Sequence, residues 1–324
     1  MLQINSQFLL LHFNFILPII IAIIGIFGNL LVLLTILRST SLRKNTLFNY
    51  LIVLLGSNSL LLTSVVIGRF PQIRNIGYFV CFVKDYSWNF PIYVSNLTVT
   101  FVAIEQFLVI FWPERMLKFS RSTRLIPILL ILLFSLIINF NLFFVLEYKN
   151  NNQNFKNNLT TKISTNKCIY NNHLPFAKPF FLLPRIILTF LIPLIVVLSC
   201  NFGIIMKMRK LNISGVNEAK PTKKENGNKI LFILIPFFYV LLNLPYNLNL
   251  ALINFWNENF GSLTINLIVL WIFFLNYAID FVIYPLASLH FRNSFYRIWI
   301  QPIFSKKPSR IVSNISEESV NTKI

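Results

Sequence analysis

The sequence is poor in charged residues for its length. Only 12% of its 324 residues are Asp, Glu, Lys or Arg, whereas 56% are hydrophobic and the mean hydropathy is +0.67. A soluble domain carries about 25% charged residues, because its surface has to be solvated. The shortage argues against an ordinary soluble globular protein and predicts a chain that crosses a membrane several times.

Histidine and cysteine are scarce as well, with three residues of each type. The histidines are His12, His173 and His290, which lie far apart along the chain. The sequence contains no metal-ligand spacing, phosphate-binding glycine loop or nucleophile elbow. These absences argue against an enzyme and against a resident cofactor.

Lysine and arginine are missing from long stretches, which marks the membrane spans. The stretches without either residue are 1–37, 45–68, 85–114, 125–148, 186–206 and 230–291. About 20 apolar residues cross a bilayer core of roughly 30 Å. The last stretch is long enough for two spans, and the polar segment 254–262 divides it. Seven spans result, and they must be helical, because isolated strands would leave backbone groups unpaired in lipid.

The basic residues are distributed unevenly between the two sides of the membrane. One set of alternate connections, together with the carboxyl-terminal tail, carries 20 Lys and Arg residues, and the other set carries 9. The positive-inside rule places the richer side in the cytosol and the amino terminus outside. The net charge of +19 is therefore expected to complement anionic membrane lipid rather than nucleic acid.

These features predict an all-α integral membrane protein, a bundle of seven transmembrane helices. Residues 1–11 are expected to form a short extracellular amino terminus, and residues 12–300 the seven-helix domain. A short amphipathic helix is expected at about 290–300, after the seventh span, and residues 301–324 form a flexible cytosolic tail. The expected location is the plasma membrane.

Two of the three cysteines fall on the predicted outer side, where disulfides form. Cys81 precedes the third span, and Cys168 lies in the long loop before the fifth span. A bridge between them would contribute on the order of 4 kcal/mol in the chain-entropy model, and two free thiols are the alternative. The same loop carries a glycosylation sequon at Asn158.

Short motifs stand at regular places in the first three spans. The first span carries GNLLVL (28–33), and the second carries NYLIVLLGSNSLL (49–61). Cys81 opens the third span, which ends in EQFLVIFWP (105–113). The last motif places a carboxylate beside an amide at the inner end of an apolar span, where an ionisable residue is costly and usually functional.

The later spans carry prolines and a terminal motif. Pro193 and Pro245 lie within the fifth and sixth spans, DFVIY (280–284) lies in the seventh, and FRNSFYR (291–297) follows it. In this order, the seven spans, the cysteine pair and the motifs resemble those of rhodopsin-like (class A) G-protein-coupled receptors. The resemblance implies a cell-surface receptor that binds an extracellular ligand and activates a heterotrimeric G protein.

The resemblance fails at one position that the family uses for signalling. Gln106 stands where relatives carry the Arg of an Asp-Arg-Tyr triplet, which contacts the G protein, and a neutral amide cannot make a bidentate charged contact. We expect Gln106 to hydrogen-bond Glu225 and to give a looser resting state, and impaired coupling is the alternative. The switch residues that the resemblance implies are Glu105, Gln106, Phe107, Glu225, Pro245, Asp280 and Tyr284.

The resemblance also implies a polar cluster at mid-depth of the bundle. Its members are Asn29, Ser59, Ser95, Asn276 and Asp280. In relatives a sodium ion is held here mainly by a second-span Asp. Because Ser59 takes that place, Asp280 would have to hold the ion, so we expect no firmly bound metal. A protonated Asp280 that hydrogen-bonds Asn29 is the alternative.

Ligands of the family enter from outside between the third, fifth, sixth and seventh helices. The positions that the resemblance assigns to this site are Trp88, Asn89, Ile92, Arg185, Thr189, Asn243, Tyr246, Asn247, Leu270 and Phe274. Trp88 stands where receptors for biogenic amines carry Asp, so aminergic ligands are not expected. Arg185 could pair with an anionic group such as a peptide carboxylate, or its head could reach the outer surface. A short peptide is the first expectation, followed by a small chemosensory molecule.

Two other classes stay open. A decoy-type receptor, which binds ligand without coupling, would also explain the missing Arg. A channel or transporter could use Asp280 in a proton path, although transporters usually show internal repeats, and the sequence shows none. The expected partners are an extracellular ligand, a heterotrimeric G protein and membrane lipid.

Overall fold

The computed structural model describes residues 2–44, 46–69, 78–118, 121–151, 165–170, 177–213, 223–255 and 262–304, with side chains described for part of these ranges. The helices before the longest loop are α1 (Leu2–Arg38), α2 (Thr40–Arg43), α3 (Thr46–Gly68), α4 (Tyr78–Phe111), α5 (Pro113–Lys118), α6 (Arg121–Asn139) and α7 (Leu142–Val145). Those after it are α8 (Ala177–Ile186), α9 (Ile192–Ile213), α10 (Lys223–Phe255), α11 (Leu263–Ala278), α12 (Asp280–Ala287), α13 (Leu289–Phe295) and α14 (Gln301–Phe304).

Seven helical segments of this set account for the predicted spans. Five described stretches are long and apolar enough to cross a membrane, namely Phe15–Arg38, Leu47–Gly68, Phe79–Phe111, Leu125–Phe144 and Leu182–Lys210. Helices α11 and α12 pass the same test together, with a bend of 47° between them. Helix α10, 33 residues long, is the remaining one, and the side chains of its first half lie outside the described set. The prediction of an all-α membrane bundle is confirmed.

Large apolar side chains cover the outside of the bundle, as expected for a surface in lipid. Phe27, Ile137 and Phe202 are each about two thirds exposed or more. Polar side chains lie inside instead: Asn29, Asn58 and others are almost fully buried. A soluble protein shows the reverse distribution. The helices therefore present their polar residues to one another and their apolar residues to the membrane.

Glycine allows the first helix to approach the seventh. A Cβ atom on Gly28 would lie 2.2 Å from Cγ of Phe281, and one on Gly25 would lie 2.7 Å from Cβ of Ala278. Both distances are below any real van der Waals contact. Small residues let membrane helices pack closely where no hydrophobic force drives them together.

A two-stranded hairpin interrupts the helices, and it was not foreseen from the sequence. Strand β1 (Leu146–Asn151) pairs antiparallel with β2 (Thr165–Tyr170), with Tyr148 opposite Cys168. β1 follows directly on α7, and α8 follows β2, so the hairpin lies between the fourth and fifth spans.

A final helical segment follows the seventh span. Ser288 caps α13, because its Oγ accepts a hydrogen bond of 3.2 Å from the amide of Phe291. The helical backbone then continues through Phe304, beyond the predicted end at 300. The indole of Trp299 donates to Oγ1 of Thr35 at 2.9 Å, which fastens this segment to α1.

Candidate functional site

A cavity of about 340 Å³ opens at the end of the bundle that carries Cys81. It is lined by Ser64, Val65, Gly68, Arg69, Lys84, Asp85, Trp88, Asn89, Arg185, Leu270 and Phe274. Its volume is within the range of small-molecule and peptide-anchor sites. α3, α4, α8 and α11 supply the walls, so the cavity lies between helices that are distant in sequence.

Five of the ten residues predicted for ligand binding lie on this cavity. They are Trp88, Asn89, Arg185, Leu270 and Phe274. The indole of Trp88 meets the ring of Phe274 edge-on, with centroids 5.6 Å apart. The amide of Asn89 donates to the carbonyl of Asp85 one turn earlier in α4. An aromatic wall with few polar groups is typical of a ligand pocket.

The other five predicted residues lie deeper, in the packed interior. Ile92 belongs to an apolar cluster, and Tyr246 stacks on Phe273 with centroids 4.0 Å apart. Asn243 and Asn247 donate to the carbonyls of Tyr239 and Asn243 in their own helix. Thr189 is buried near the middle of the bundle and has a different role, given below.

Six lining residues were missed from the sequence. Ser64, Val65, Gly68 and Arg69 belong to the end of the second span, and Lys84 and Asp85 precede Trp88 in α4. The uncharged residues Ser64, Val65 and Gly68 have no feature in the sequence that indicates ligand binding. Arg69, Lys84 and Asp85 are charged residues at the ends of spans, and their charge could have identified them.

Cationic side chains dominate the electrostatics of the cavity. Arg69, Lys84 and Arg185 line it together with one carboxylate, Asp85. Arg185 is 7% exposed, so its guanidinium does not extend to the open surface. A buried charge is stable only with polar or ionic neighbours. The surplus of positive charge favours a ligand that brings a negative group.

A hydrogen-bonded junction joins three helices beneath this cavity. Pro193 has no amide hydrogen, so the carbonyl of Thr189, four residues earlier, lacks its usual α-helical donor. The chain adopts a π-helical turn at Ile187–Leu191, immediately before the proline. Two side chains reach the freed oxygen: Nδ2 of Asn96 in α4 at 2.7 Å, and the hydroxyl of Tyr239 in α10 at 2.8 Å. We call Asn96, Thr189, Pro193 and Tyr239 the carbonyl junction.

The central polar cluster is built around Asp280 and differs from the prediction. Nδ2 of Asn58 donates to Oδ2 of Asp280 at 2.6 Å. Ser59, which the sequence placed here, bonds the carbonyl of Leu55 in its own helix. Asn29 donates to the carbonyl of Tyr277 rather than to Asp280. Asn58 therefore takes the position assigned to Ser59, and the predicted Asn29–Asp280 bond is wrong.

A small cavity lies beside Asp280, and the expectation that no metal is firmly bound there stays a prediction. Asn58, Ser95, Asn276 and Asp280 line a cavity of only about 10 Å³, about the volume of one water-sized probe. Among the described lining residues Asp280 is the one carboxylate, and it accepts a hydrogen bond from the amide of Asn58. The described residues contain no group of three or more His, Cys, Asp or Glu side chains that could hold a metal.

Glu105, Gln106 and Phe107 lie near the far end of α4. Glu105 and Gln106 are both less than a tenth exposed, although the sequence suggested an interfacial position for Glu105. The ring of Phe107 stacks on Phe111 and fills the space over Gly203 of α9. Phe107 is therefore part of the contact between the third and fifth spans.

A lysine from the fifth span meets the end of this helix. Nζ of Lys207 donates to the carbonyl of Ile110 at 2.5 Å and lies 4.7 Å from the ring centroid of Phe111. A cation is favourable at a helix carboxyl terminus, where carbonyls lack helical donors. Lys207 thus places a positive charge one turn beyond Gln106.

Several predicted residues cannot be placed in a site. Tyr284 is fully buried in the largest apolar cluster, and Pro245 is half-buried in α10. Cys81 is disulfide-bonded and Cys200 is free. The side chains of Cys168 and Glu225 and the whole of Asn158 lie outside the described residues. The disulfide partner, the Gln106–Glu225 contact and the glycosylation site therefore stay predictions.

Comparison with known proteins gives consistent similarities. The sequence profile of the 7 transmembrane receptor (rhodopsin family) matches residues 28–284. Neuromedin-U receptor 2 of Rattus norvegicus is 25% identical over 301 residues, which cover 85% of this chain and 72% of the relative. Growth hormone secretagogue receptor type 1 of Mustela putorius furo is 24% identical over 323 residues, which cover 93% of this chain and 85% of the relative.

Proposed function

This chain belongs to the rhodopsin family of seven-transmembrane receptors, and we propose that it binds an extracellular peptide and activates a heterotrimeric G protein. In the proposed orientation the amino terminus lies outside and the tail lies in the cytosol. The distribution of 20 basic residues against 9 supports this orientation. The cavity at the Cys81 end then faces the extracellular space.

The charge of the outer cavity carries the ligand proposal. Arg185 is buried in its wall, and Arg69 and Lys84 add two further cations against the single carboxylate of Asp85. A guanidinium in a site of low dielectric constant binds a carboxylate through short, charge-assisted hydrogen bonds. We propose that a peptide carboxylate, either the terminal group or an acidic side chain, pairs with Arg185. A small acidic molecule is the second candidate.

The names of the similar receptors support an extracellular messenger as the ligand class. One is named as a receptor for neuromedin U and another as a receptor for a growth hormone secretagogue. At about a quarter identity, a shared ligand does not follow, and the ligand of this chain is proposed only as a class. The aromatic contact between Trp88 and Phe274 offers one wall for an apolar side chain beside the anionic group.

Coupling to the G protein is proposed to run through Gln106 at the opposite end of the bundle. Gln106 takes the place of the family's charged residue, and it is buried next in sequence to Phe107, which contacts α9. A neutral amide holds a resting contact less firmly than a guanidinium does. We therefore propose that the receptor has measurable ligand-independent activity.

A matched set of peptides tests the ligand proposal. Cells that express the receptor are exposed to a library of short synthetic peptides, each made with a free carboxyl terminus and as its amide. If a peptide activates the receptor through its terminal carboxylate, its free-acid form is expected to be more potent than its amide. Arg185→Gln should weaken an active peptide by at least about tenfold, or about 1.4 kcal/mol.

Lys84→Gln provides the control at the same cavity. Lys84 also lines the cavity, but it is exposed and its charge is screened by water, so its loss should change potency less than the loss of Arg185 does, by under about threefold. Equal effects of both substitutions, or activators that are all uncharged, would contradict the Arg185 pairing. Peptide binding at normal surface expression without any G-protein activation would instead indicate a decoy-type receptor.

A further inference from the structure

Consecutive hydroxyl side chains stand between the first and second spans, at the opposite end of the bundle from the ligand cavity. They are Ser39, Thr40 and Ser41, and they line a second cavity of about 460 Å³. The end of α1 and α2 form one side of this cavity, and the helical segment after the seventh span forms the other. Its described lining shares no residue with the ligand site or with the predicted switch residues.

Ser41 differs from Ser39 in the contacts that its hydroxyl makes. Oγ of Ser39 accepts a hydrogen bond of 3.3 Å from the amide of Leu42, as the cap of α2, and it donates to Oγ of Ser294 at 3.4 Å. Ser41 is exposed, and its Oγ lies 3.2 Å from Nε2 of His290. Ser39 therefore has structural contacts on both sides, whereas the hydroxyl of Ser41 lies at the surface, where an enzyme can reach it.

The sequence around Ser41 is basic on both sides. Arg38 lies three residues before it, and Arg43 and Lys44 follow it by two and three residues. A kinase with an acidic surface beside its cleft is electrostatically complementary to such a sequence. α2 is a single turn of four residues, which is too short to be stable as an isolated helix. Ser41 can therefore enter the extended cleft of a kinase at a small cost.

The cavity offers groups that would hold a phosphate on Ser41. Arg38 and Arg297 supply two guanidinium groups, and the described lining contains no carboxylate. The side chains of His290 and Asn293 line the same space. A phosphoserine carries a charge of about −1.5 to −2 and three strong acceptor oxygens. Opposite a cluster of arginines it forms new charge-assisted hydrogen bonds, which fix one element against another.

Existing contacts already bring the two sides of the cavity together. The indole of Trp299 donates to Oγ1 of Thr35 at 2.9 Å, and the guanidinium of Arg38 sits over the ring of Trp299, 4.6 Å from its centroid. These contacts join α1 to the segment after the seventh span, and the pair of Ser41 and His290 joins α2 to α13. The surroundings of the phosphate are therefore formed before the modification, so little ordering entropy opposes its docking.

We propose that Ser41 is a phosphorylation site, and that its phosphate docks between Arg38 and Arg297 and fastens α2 to the segment after the seventh span. In the reaction, Oγ of Ser41 gives its proton to the catalytic base of a kinase and bonds to the γ-phosphorus of ATP. The bond from that phosphorus to the β–γ bridging oxygen breaks, and ADP leaves. The enzyme is a cytosolic serine/threonine kinase that recognises basic sequences. This end of the bundle faces the cytosol in the proposed orientation, on which the proposal rests.

Phosphorylation of the purified full-length receptor tests the site. The receptor is placed in nanodiscs of neutral phosphatidylcholine and incubated with ATP and a calmodulin-dependent protein kinase, which favours arginine at this spacing. Ser309, which follows Lys306 and Lys307 in the tail, serves as the positive control for kinase activity. Mass spectrometry of peptides should find phosphate on both Ser41 and Ser309, and Ser41→Ala should lose only the first of them.

Resistance to alkaline phosphatase measures whether the phosphate docks in the cavity. A docked phosphate is held away from the enzyme, so its removal from Ser41 should be slow in the wild type. Arg297→Gln should speed this removal at least about fivefold, because a charge-assisted contact is lost. Arg297 is remote from Ser41 in sequence, so the substitution leaves the kinase recognition sequence unchanged. Arg209→Gln removes an exposed charge outside the described lining and should change the rate by less than about twofold.

Two results would overturn the proposal. One is the absence of phosphate on Ser41 in a sample in which Ser309 is fully modified. The other is equal rates of phosphate removal from Ser41 in Arg297→Gln and Arg209→Gln, which would show that the phosphate does not use the cavity. Both faces of a nanodisc are open to the enzymes, so neither result depends on the orientation. A carboxyl-terminal epitope that antibodies detect only in permeabilised cells tests the orientation separately.

Discussion

At the scale of single residues, the pair of Asn58 and Asp280 decides how the centre of the bundle is held. The carboxylate is buried and accepts a hydrogen bond of 2.6 Å from the amide of Asn58. Removing one partner of such a bond leaves a buried polar group unsatisfied. Asn58→Leu is therefore expected to destabilise the receptor by about 1.5–3 kcal/mol.

The neighbouring serine is the control for this prediction. Among the described residues, the hydroxyl of Ser59 bonds the carbonyl of Leu55 in its own helix, so Ser59→Ala should cost less than about 1 kcal/mol of stability. The measurement is thermal unfolding of the purified receptor in one detergent. A larger loss from Ser59→Ala than from Asn58→Leu would show that the sequence-based choice of Ser59 was right after all.

The choice between these two residues shows where sequence reasoning stops. Consecutive residues on a helix point about 100° apart, so an error of one position moves a side chain from the centre of the bundle to its flank. The second span lacks the usual Asp that would fix the position, and Asn58 and Ser59 are both polar. In the outer cavity, Trp88 and Phe274 were identified because matched motifs fixed their distance along the helix. Gly68 was not, because it lies at the end of α3, where no matched motif fixes its position.

At the scale of helices, close packing between the first and seventh spans depends on glycine. A Cβ atom on Gly28 would overlap the ring of Phe281, which cannot move away cheaply because the contact is at Cγ, near the backbone. Gly28→Ala is expected to destabilise the receptor by about 1–3 kcal/mol through overpacking. Gly56→Ala has nothing within 4 Å of its new Cβ and should be neutral or stabilising by up to about 1 kcal/mol.

Thermal unfolding of both glycine variants at matched expression checks this difference. Equal melting temperatures for the two variants would show that the first and seventh helices do not approach each other as closely as described.

The carbonyl junction ties the third, fifth and sixth helices together. Tyr239→Phe removes one of the two donors to the carbonyl of Thr189 and should cost about 1 kcal/mol. Asn96→Leu removes the other donor. The double variant leaves the oxygen without either donor. The two losses of unfolding free energy should therefore not add, and an interaction energy of at least about 0.5 kcal/mol is expected.

A double-mutant cycle by thermal unfolding measures this coupling. Thr98→Val is the control, since within the described part of the chain its hydroxyl bonds the carbonyl of Val94 in the same helix. Strict additivity of Tyr239→Phe and Asn96→Leu would mean that the two side chains do not share an acceptor. The junction was not foreseen, although Pro193 in the sequence already implied a carbonyl without its helical donor.

At the scale of the whole molecule, the fold was predictable because membrane proteins obey strong constraints. Long stretches without Lys or Arg indicated the number of spans, and the asymmetry of charge supports the proposed orientation. The hairpin of β1 and β2 was not predictable, because its strands are short and polar and lie in a loop. The cavity behind Arg38 and Arg297 depends on where the terminal helical segment docks, which the Trp299–Thr35 bond determines.

The central claim is that a receptor without the usual charged residue at position 106 still activates a G protein. The direct test is ligand-independent nucleotide exchange on purified heterotrimeric G proteins of each class, with wild type, Gln106→Arg and Gln106→Ala at equal receptor concentration in nanodiscs. The account predicts basal exchange by the wild type with at least one class, and a loss of several-fold in Gln106→Ala, since the alanine makes no hydrogen bond. A silent wild type beside an active Gln106→Arg variant would contradict it and indicate a receptor that binds without signalling.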